Sequence, residues 1–322
     1  MKKINLCIIG IGYWGPIIIK TILNNKDIKI KYIIDKSPKV LRSFKKKIKV
    51  NCEYHTSISK INLNNIDAAI IATPVKTHFN LCKFFLKNKI HVFVEKPITL
   101  KVSQLKVLKK ISENHKKIIM SGDLYLYHPA IIKIKNLIDK NYFGKIQYIY
   151  MQRLNFGKIR SDVNVIGNLI THDLSILLYW FKNLKIIKFN KSTKSFNQKK
   201  IDDIAFINLF FDKNIFANIS LSWIHPEKVR KILIIGSKKM MIFDDNIPNK
   251  INIINKNIKY KKLEKNKFIY NSKKNQIITV DKSQPLANEM KHFVNCIKNN
   301  LTPKTGSSIN LKVIKILEKI LK

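Results

Sequence analysis

The 322-residue sequence predicts an α/β protein in two parts, a parallel doubly wound sheet followed by an α+β domain of mostly antiparallel strands. Three observations carry this. Residues 4–120 alternate strand-length apolar runs with amphipathic helical stretches, as parallel strands joined by right-handed crossovers require. Gly10-Ile11-Gly12-Tyr13-Trp14-Gly15 fits G-x-G-x-x-G and lies between an apolar run and a helical one. Beyond Gly122 the strand-like runs follow one another closely with short turns, which means antiparallel pairing.

Residues 4–9 are continuously apolar, as a strand buried on both faces would be. A helix is expected over 16–23, with Pro16 near its first turn, where a missing N–H costs nothing. Strand 28–34, helix 40–48, strand 68–72 ended by Thr73-Pro74 and an amphipathic helix over 77–86 come next. Strand 90–94 ended by Glu95-Lys96-Pro97, helix 102–111 and strand 118–120 complete a first domain of residues 1–121. In the second, residues 122–322, helices at 128–139 and 163–181 flank a strand near 146–153. Strands at 186–189, 204–211, 216–223, 231–235 and 240–243 follow, the last two joined as a hairpin through Gly236-Ser237. Residues 249–276, rich in Lys and Asn, read as a poorly covered strand pair or a loop. Helices at 286–299 and 310–321 close the chain and can pack back on the first domain.

Sixty-two Lys and Arg against 20 Asp and Glu give a net charge of +42. Such a charge ordinarily points to nucleic acid or an anionic membrane. Here only four of the basic residues are Arg (Arg42, Arg153, Arg160, Arg230), the type that bidentate base and phosphate contacts favour. Ile and Asn are abundant and Ala and Gly scarce, the pattern of A/T-rich codons. The charge is therefore read as base composition written onto a solvated surface, with a selected polyanion-binding surface as the alternative. No zinc-finger spacing and no RNP-type aromatic strand is found, so no nucleic-acid partner is expected. No run of 18 apolar residues suggests a membrane span. The N-terminal Met1-Lys2-Lys3 and its apolar stretch have the outline of a signal peptide, but Gly10, Gly12, Gly15 and Pro16 interrupt it and no small-residue cleavage pattern precedes Lys20. Cys7, Cys52, Cys82 and Cys296 show no C-x-x-C spacing and read as buried thiols in a reducing, cytoplasmic compartment. The eight His form no ligand cluster, so no metal is expected.

The glycine motif is the first candidate site. Gly10, Gly12 and Gly15 permit a tight turn, close approach of a pyrophosphate and tight helix–strand packing, and the helix N-terminus offers N–H donors to the phosphates. The chain holds only nine Gly, so three within six residues are hard to ascribe to composition. Asp35 ends the second strand, twenty residues after Gly15, where a carboxylate accepts the adenosine ribose hydroxyls. The same charge repels a 2′-phosphate, which favours NAD over NADP, with Lys36 next door softening the preference. The second candidate is Lys96, in Glu95-Lys96-Pro97 at the C-terminal end of a buried strand, where open α/β sheets place their ligands; it can donate to a developing alkoxide. The third is an i, i+4 pair on a helix, Asn168 and His172, in which the Asn carbonyl can accept the His Nδ1–H and leave Nε2 as a base.

Together these residues resemble the Gfo/Idh/MocA oxidoreductase family. The likeness includes Gly12-Tyr13-Trp14-Gly15-Pro16, Ala72-Thr73-Pro74 with His78, and Glu95-Lys96-Pro97. It continues through 153–164, with Arg153, Gly157, Arg160, Asp162 and Asn164, then His172-Asp173-Leu174-Ser175, Ser222-Trp223 to Arg230, and Gly236 to Asp245. The later segments look most like the branch of nucleotide-sugar and surface-polysaccharide pathways, whose members oxidise a UDP-N-acetylamino sugar or uronic acid at a ring hydroxyl. The resemblance implies a Rossmann domain and a second domain with a large open sheet used for homodimer or homotetramer contacts. It implies an NAD site that includes Tyr13, Trp14, Thr73, Pro74, His78 and Glu95, with Lys96 and His172 as catalytic residues. Arg153, Arg160, Asn164, Asn168 and Asp173 become candidates for the sugar substrate. Most members carry Asp where this chain has Asn168, which removes the charge that would stabilise an imidazolium. That substitution keeps open a second reading, an NAD-binding protein with weakened or lost catalysis, beside that of a dehydrogenase of a free sugar or cyclitol. Gly167 stands where the branch usually has a large aromatic residue.

Overall fold

The computed structural model describes residues 3–161, 163–181, 183–247, 249–261 and 267–322. They divide into two compact units, Met1–Tyr127 with Gln284–Glu318, and His128–Ser283 with Lys319–Lys322.

The first unit is built on β1 (Ile4–Ile9), β2 (Ile28–Ile34), β3 (Glu53–His55), β4 (Ala68–Ile71), β5 (His91–Glu95) and β6 (Ile119–Gly122). All neighbours are parallel, in the order β3-β2-β1-β4-β5-β6. The order reverses between β1 and β4, and such a switch point is where open α/β sheets bind ligands. Parallel strands are covered on both faces, which is why β4 is buried at every residue and β1 at all but one. Four helices connect the strands: α1 (Trp14–Ile22), α2 (Pro38–Lys47), α3 (Val75–Lys87) and α4 (Val102–Asn114). In α2 the Ser37 hydroxyl accepts the Val40 N–H, Pro38 opens the first turn, and Lys45, Lys46 and Lys47 meet the negative end of the helix dipole. The three-residue β3 is missing from the sequence expectation because Glu53-Tyr54-His55 offers no apolar run, and α1 starts two residues before the expected Pro16.

The second unit holds α5 (Pro129–Asp139), β7 (Ile146–Phe156), α6 (Val165–Trp180), β8 (Ile186–Lys194), β9 (Ile204–Phe211), β10 (Ile215–Ser222), β11 (Ile224–Gly236), β12 (Met240–Asp244) and β13 (Lys250–Ile254). It continues with β14 (Lys256–Lys261), β15 (Lys267–Ser272) and β16 (Gln276–Thr279). Eight strands form one sheet in the order β16-β13-β12-β11-β7-β10-β9-β8, while β14 and β15 form a separate antiparallel pair. The described residues of the stretch 249–276 thus contribute strands to two sheets. Every pair in the large sheet is antiparallel except β7 with β10, so the sheet is mixed. Along β9 and β10 the residues alternate: Ala205, Ile207, Leu209, Ala217, Ile219 and Leu221 are buried on the face that α6 covers, while Phe206 and Phe210 point the other way and are exposed. On that second face Phe216 stacks on Tyr148 and packs against Phe210. Helix α5 braces α6, with the Trp180 indole N–H donating to the Ile131 carbonyl at 3.1 Å.

The closing helices α7 (Pro285–Asn299) and α8 (Ser307–Leu321) belong to the first unit up to Glu318. Ser121 N–H donates to the Thr305 carbonyl at 2.9 Å and Met120 pairs with Gly306, which extends the β6 edge. Phe293 of α7 meets Phe93 of β5 in an edge contact. This unit therefore gains residues 122–127 and the two closing helices, as far as Glu318, over the expected 1–121. Among the described residues no helix is long and apolar enough to cross a membrane, and no cluster of His, Cys, Asp or Glu is arranged to hold a metal ion.

Candidate active site

In the first unit the turn after β1 is shaped by its glycines. Gly10 has φ +89°, and a Cβ there would lie 2.7 Å from the Ala72 carbonyl oxygen. A Cβ on Gly15 would sit 2.3 Å from the Gly10 oxygen, so α1 packs on the turn only because that atom is missing. Gly12 differs: it is exposed, and a Cβ there would meet nothing within 4 Å. The protein does not need a glycine at 12, whereas a phosphate passing over the turn would. No side chain among the described residues caps α1, whose first turn follows the 80% exposed Tyr13 and opens on the half-buried Trp14. Asp35 holds the loop from β2: its Oδ2 accepts the Ile11 N–H at 3.0 Å and its Oδ1 the Ser37 N–H at 2.9 Å. A carboxylate has about four lone-pair directions, so two remain for ribose hydroxyls. The opening over Gly12, the uncapped helix and Asp35 fit a dinucleotide.

Thr73 and Pro74 lead from β4 into α3. The Thr77 hydroxyl donates to the Pro74 carbonyl at 2.7 Å, and the Thr73 hydroxyl lies 2.7 Å from that of Thr77. His78 is 1% exposed, with Nδ1 2.9 Å from the Pro97 carbonyl and Nε2 2.8 Å from that of Thr73. Burial holds its pKa below the usual value against those two bonds. The ring, expected at the cofactor, is an internal strut tying the Thr73-Pro74 turn to the segment that carries Lys96. Glu95 and Lys96 end β5. Glu95 is pushed up to about 7 by burial, which outweighs the Lys96 ammonium beside it. Asp123, just past β6, is 3% exposed and pushed up to about 6, again by burial.

In the second unit α6 carries the other candidates. Asn164 is its N-cap, accepting the Gly167 N–H at 2.9 Å, while its own amide donates to Asp202 Oδ2 at 3.4 Å. Asn168 and His172 lie one turn apart and half-buried. Asp173 and Arg153 are 1% and 6% exposed and face each other: Nη2 donates to Oδ1 at 2.8 Å and Nε to Oδ2 at 3.1 Å. Both were expected at the substrate, and the structure pairs them with each other. The fork of Arg153 is spent on bolting α6 to β7, because a buried carboxylate needs a charged, hydrogen-bonded partner. Arg160 sits half-buried on the β7–α6 connection, where its carbonyl accepts the Gln198 amide at 3.3 Å; Asp162 lies outside the described residues. Lys96 belongs to the first unit and His172 to the second.

Sequence reasoning missed Asp202 and Asp203. Val165 N–H donates to the Asp202 carbonyl, and the fully buried Asp203 carboxylate accepts the Trp223 indole at 2.6 Å and the N–H groups of Phe196 and Asn197. Burial would raise the Asp203 pKa, but these donors hold it below the usual value. The available signal was two adjacent acids in a chain with only 20.

Comparison with known proteins agrees with this architecture. Residues 4–123 match the family described as "Oxidoreductase family, NAD-binding Rossmann fold", and residues 131–242 match the "GFO/IDH/MocA C-terminal domain". UDP-N-acetylglucosamine 3-dehydrogenase of Acidithiobacillus ferrooxidans is 30% identical over 130 residues, 40% of each chain. The matched stretch thus spans about two fifths of that enzyme. Inositol 2-dehydrogenase of Rhizobium meliloti is 25% identical over 44% of this chain and 42% of its own. The crystallised Acidithiobacillus ferrooxidans enzyme superposes with a TM-score of 0.83 at 20% identity, covering 99% of this chain and 97% of that one. An inositol dehydrogenase homolog complexed with NAD+ from Azotobacter vinelandii gives 0.83 at 16%, covering 99% and 95%. With both halves of one family matched in chain order, this protein belongs to the Gfo/Idh/MocA family of NAD-binding oxidoreductases.

Proposed function

We propose that the chain is an NAD-dependent dehydrogenase of a sugar ring hydroxyl, acting on a nucleotide-linked amino sugar or uronic acid. The observation that carries the reading is Lys96, at the C-terminal end of β5 in the unit whose turn is open over Gly12. When bound, NAD supplies a hydride acceptor. Lys96 donates to the substrate oxygen and stabilises its negative charge, and His172 takes the hydroxyl proton. The negative Asp35 disfavours a 2′-phosphate, which selects NAD over NADP. The UDP-N-acetylglucosamine 3-dehydrogenase relative supports the nucleotide-sugar class.

A panel of UDP-linked sugars, free sugars and inositols, followed by NADH absorbance, tests the substrate class. On the best substrate, Lys96→Met and His172→Ala lower kcat by about 10²–10⁴-fold with the circular dichroism spectrum unchanged. Turnover that survives both substitutions overturns the mechanism. Tighter binding of NADP than NAD overturns the role of Asp35.

Asn168 favours the second reading, an NAD-binding protein with weakened chemistry, because a neutral amide stands one turn before His172. A large gain in rate in Asn168→Asp establishes it; an unchanged or lower rate removes it.

A further inference from the structure

Three carboxyl groups converge behind the strand end that carries Lys96. Glu95 closes β5, Asp123 directly follows β6, and Glu289 lies in the second turn of α7. Glu289 is 1% exposed, and its Oε1 has no hydrogen-bond partner among the described residues. Gly122 makes the room: it pairs with Glu95 across β5 and β6, and a Cβ there would lie 3.2 Å from the Glu95 carboxyl. Lys96 neighbours Glu95 and Asp123, while Glu289 neighbours those two acids and Tyr127. Further along, the Tyr127 hydroxyl lies 3.1 Å from Thr305 Oγ1, Lys304 stands over the Tyr127 ring, and His292 Nε2 lies 3.3 Å from Cys296 Sγ and accepts the Lys304 N–H.

Three carboxylates, Asp123 and Glu289 buried and Glu95 half-buried, against one ammonium would leave excess negative charge in a medium that solvates it poorly. A proton on one of them halves that excess. Burial, then the charges of Glu95 and Asp123, drive the Glu289 carboxyl well above the usual range. The acid whose oxygen lacks a donor is the one that keeps the proton.

We propose that Glu289 is a positioning residue for Lys96: it remains protonated and so limits the negative charge behind that lysine, leaving Glu95 and Asp123 to hold the ammonium in place. The catalytic meaning of this arrangement rests on the reading of Lys96 above, but its tests need no substrate.

The full chain and Glu289→Gln, which keeps the shape and cannot ionise, are melted across pH. A carboxyl whose folded pKa is raised stabilises the fold below its unfolded value and loses that contribution as pH rises. The two proteins therefore melt together near pH 4.5, and the wild type falls behind by about 3–5 °C towards pH 8. Parallel curves overturn the proposal. Reductive methylation resolved by peptide mass gives the pH midpoint of Lys96. Glu289→Gln leaves it unchanged if Glu289 is neutral, and a lowered midpoint overturns the proposal, because an ionised Glu289 would have been supporting the ammonium. Should the variant not fold, infrared spectra of the wild type at pH 8 decide: a protonated-carboxyl band is expected, and its absence overturns the proposal. Loss of turnover on every substrate with these results intact would refute the catalytic role of Lys96 and leave the role of Glu289 standing.

Discussion

In the turn after β1 the atoms offered to a ligand are backbone atoms and the space left by absent side chains. In α6 the candidate atoms are side chains, and several are already engaged inside the protein. Gly12 leaves an opening that no atom of the described residues fills, while Arg153, Asp173 and Asn164 make hydrogen bonds to each other, to the α6 N-terminus and to Asp202. Gly10 and Gly15 lack a Cβ because the protein's own backbone fills the space, whereas Gly12 has no such neighbour among the described residues and so points outward to a ligand. A motif written in Arg, Asp and Asn reports polar partners without saying whether those partners are ligand or protein.

The largest effect that separates the two regions is at Arg153. Breaking a buried ion pair strands the remaining charge and costs about 3–5 kcal/mol. Arg153→Ala should lower the unfolding free energy by that amount, and a double-mutant cycle with Asp173→Ala should show strong coupling in urea melts. Unchanged stability with a raised KM would return Arg153 to the substrate.

Next comes Gly12. Since a side chain at 12 meets nothing in the protein, Gly12→Val should melt within a degree or so of the wild type. Its affinity for NAD, followed by calorimetry, should fall by at least ~100-fold, about 2.7 kcal/mol. Gly15→Ala should fail differently, by loss of stability, because its Cβ would press on the Gly10 carbonyl. A Gly12→Val protein that binds NAD normally would show that the opening is not a phosphate path.

The sequence made the parallel unit legible nearly element by element, because buried strands are continuous apolar runs and glycine is rare in this chain. It missed β3, whose Glu53, Tyr54 and His55 belong to an edge strand with no apolar signature. It shortened β11 to 231–235, since Pro226 and the charges after it disguise the first half of a strand running from Ile224 to Gly236. In the candidate site the positions were legible and the partners were not. Arg153 and Asp173 are twenty residues apart, His78 and Pro97 nineteen, and Glu95 and Glu289 come together only through the tertiary fold. Periodicity cannot report such pairs.

Asn164 offers the smallest and sharpest test of what α6 does with its polar residues. As N-cap it satisfies the Gly167 N–H, and loss of that bond in Asn164→Ala should cost about 1 kcal/mol. Asn164→Ser places another good acceptor at the cap and should restore most of that stability, whereas Asn164→Asp would set a second carboxylate against Asp202 Oδ2. A substrate ligand would behave otherwise: Ser differs from Asn in reach and donor count, so the stable Ser variant would still lose affinity for the sugar. If melting temperature and KM recover together in Asn164→Ser, the residue is a cap and the substrate is held elsewhere. If stability recovers and KM does not, Asn164 serves both the helix and the ligand, and α6 would share with the glycine turn the property of presenting its N-terminal end to what it binds.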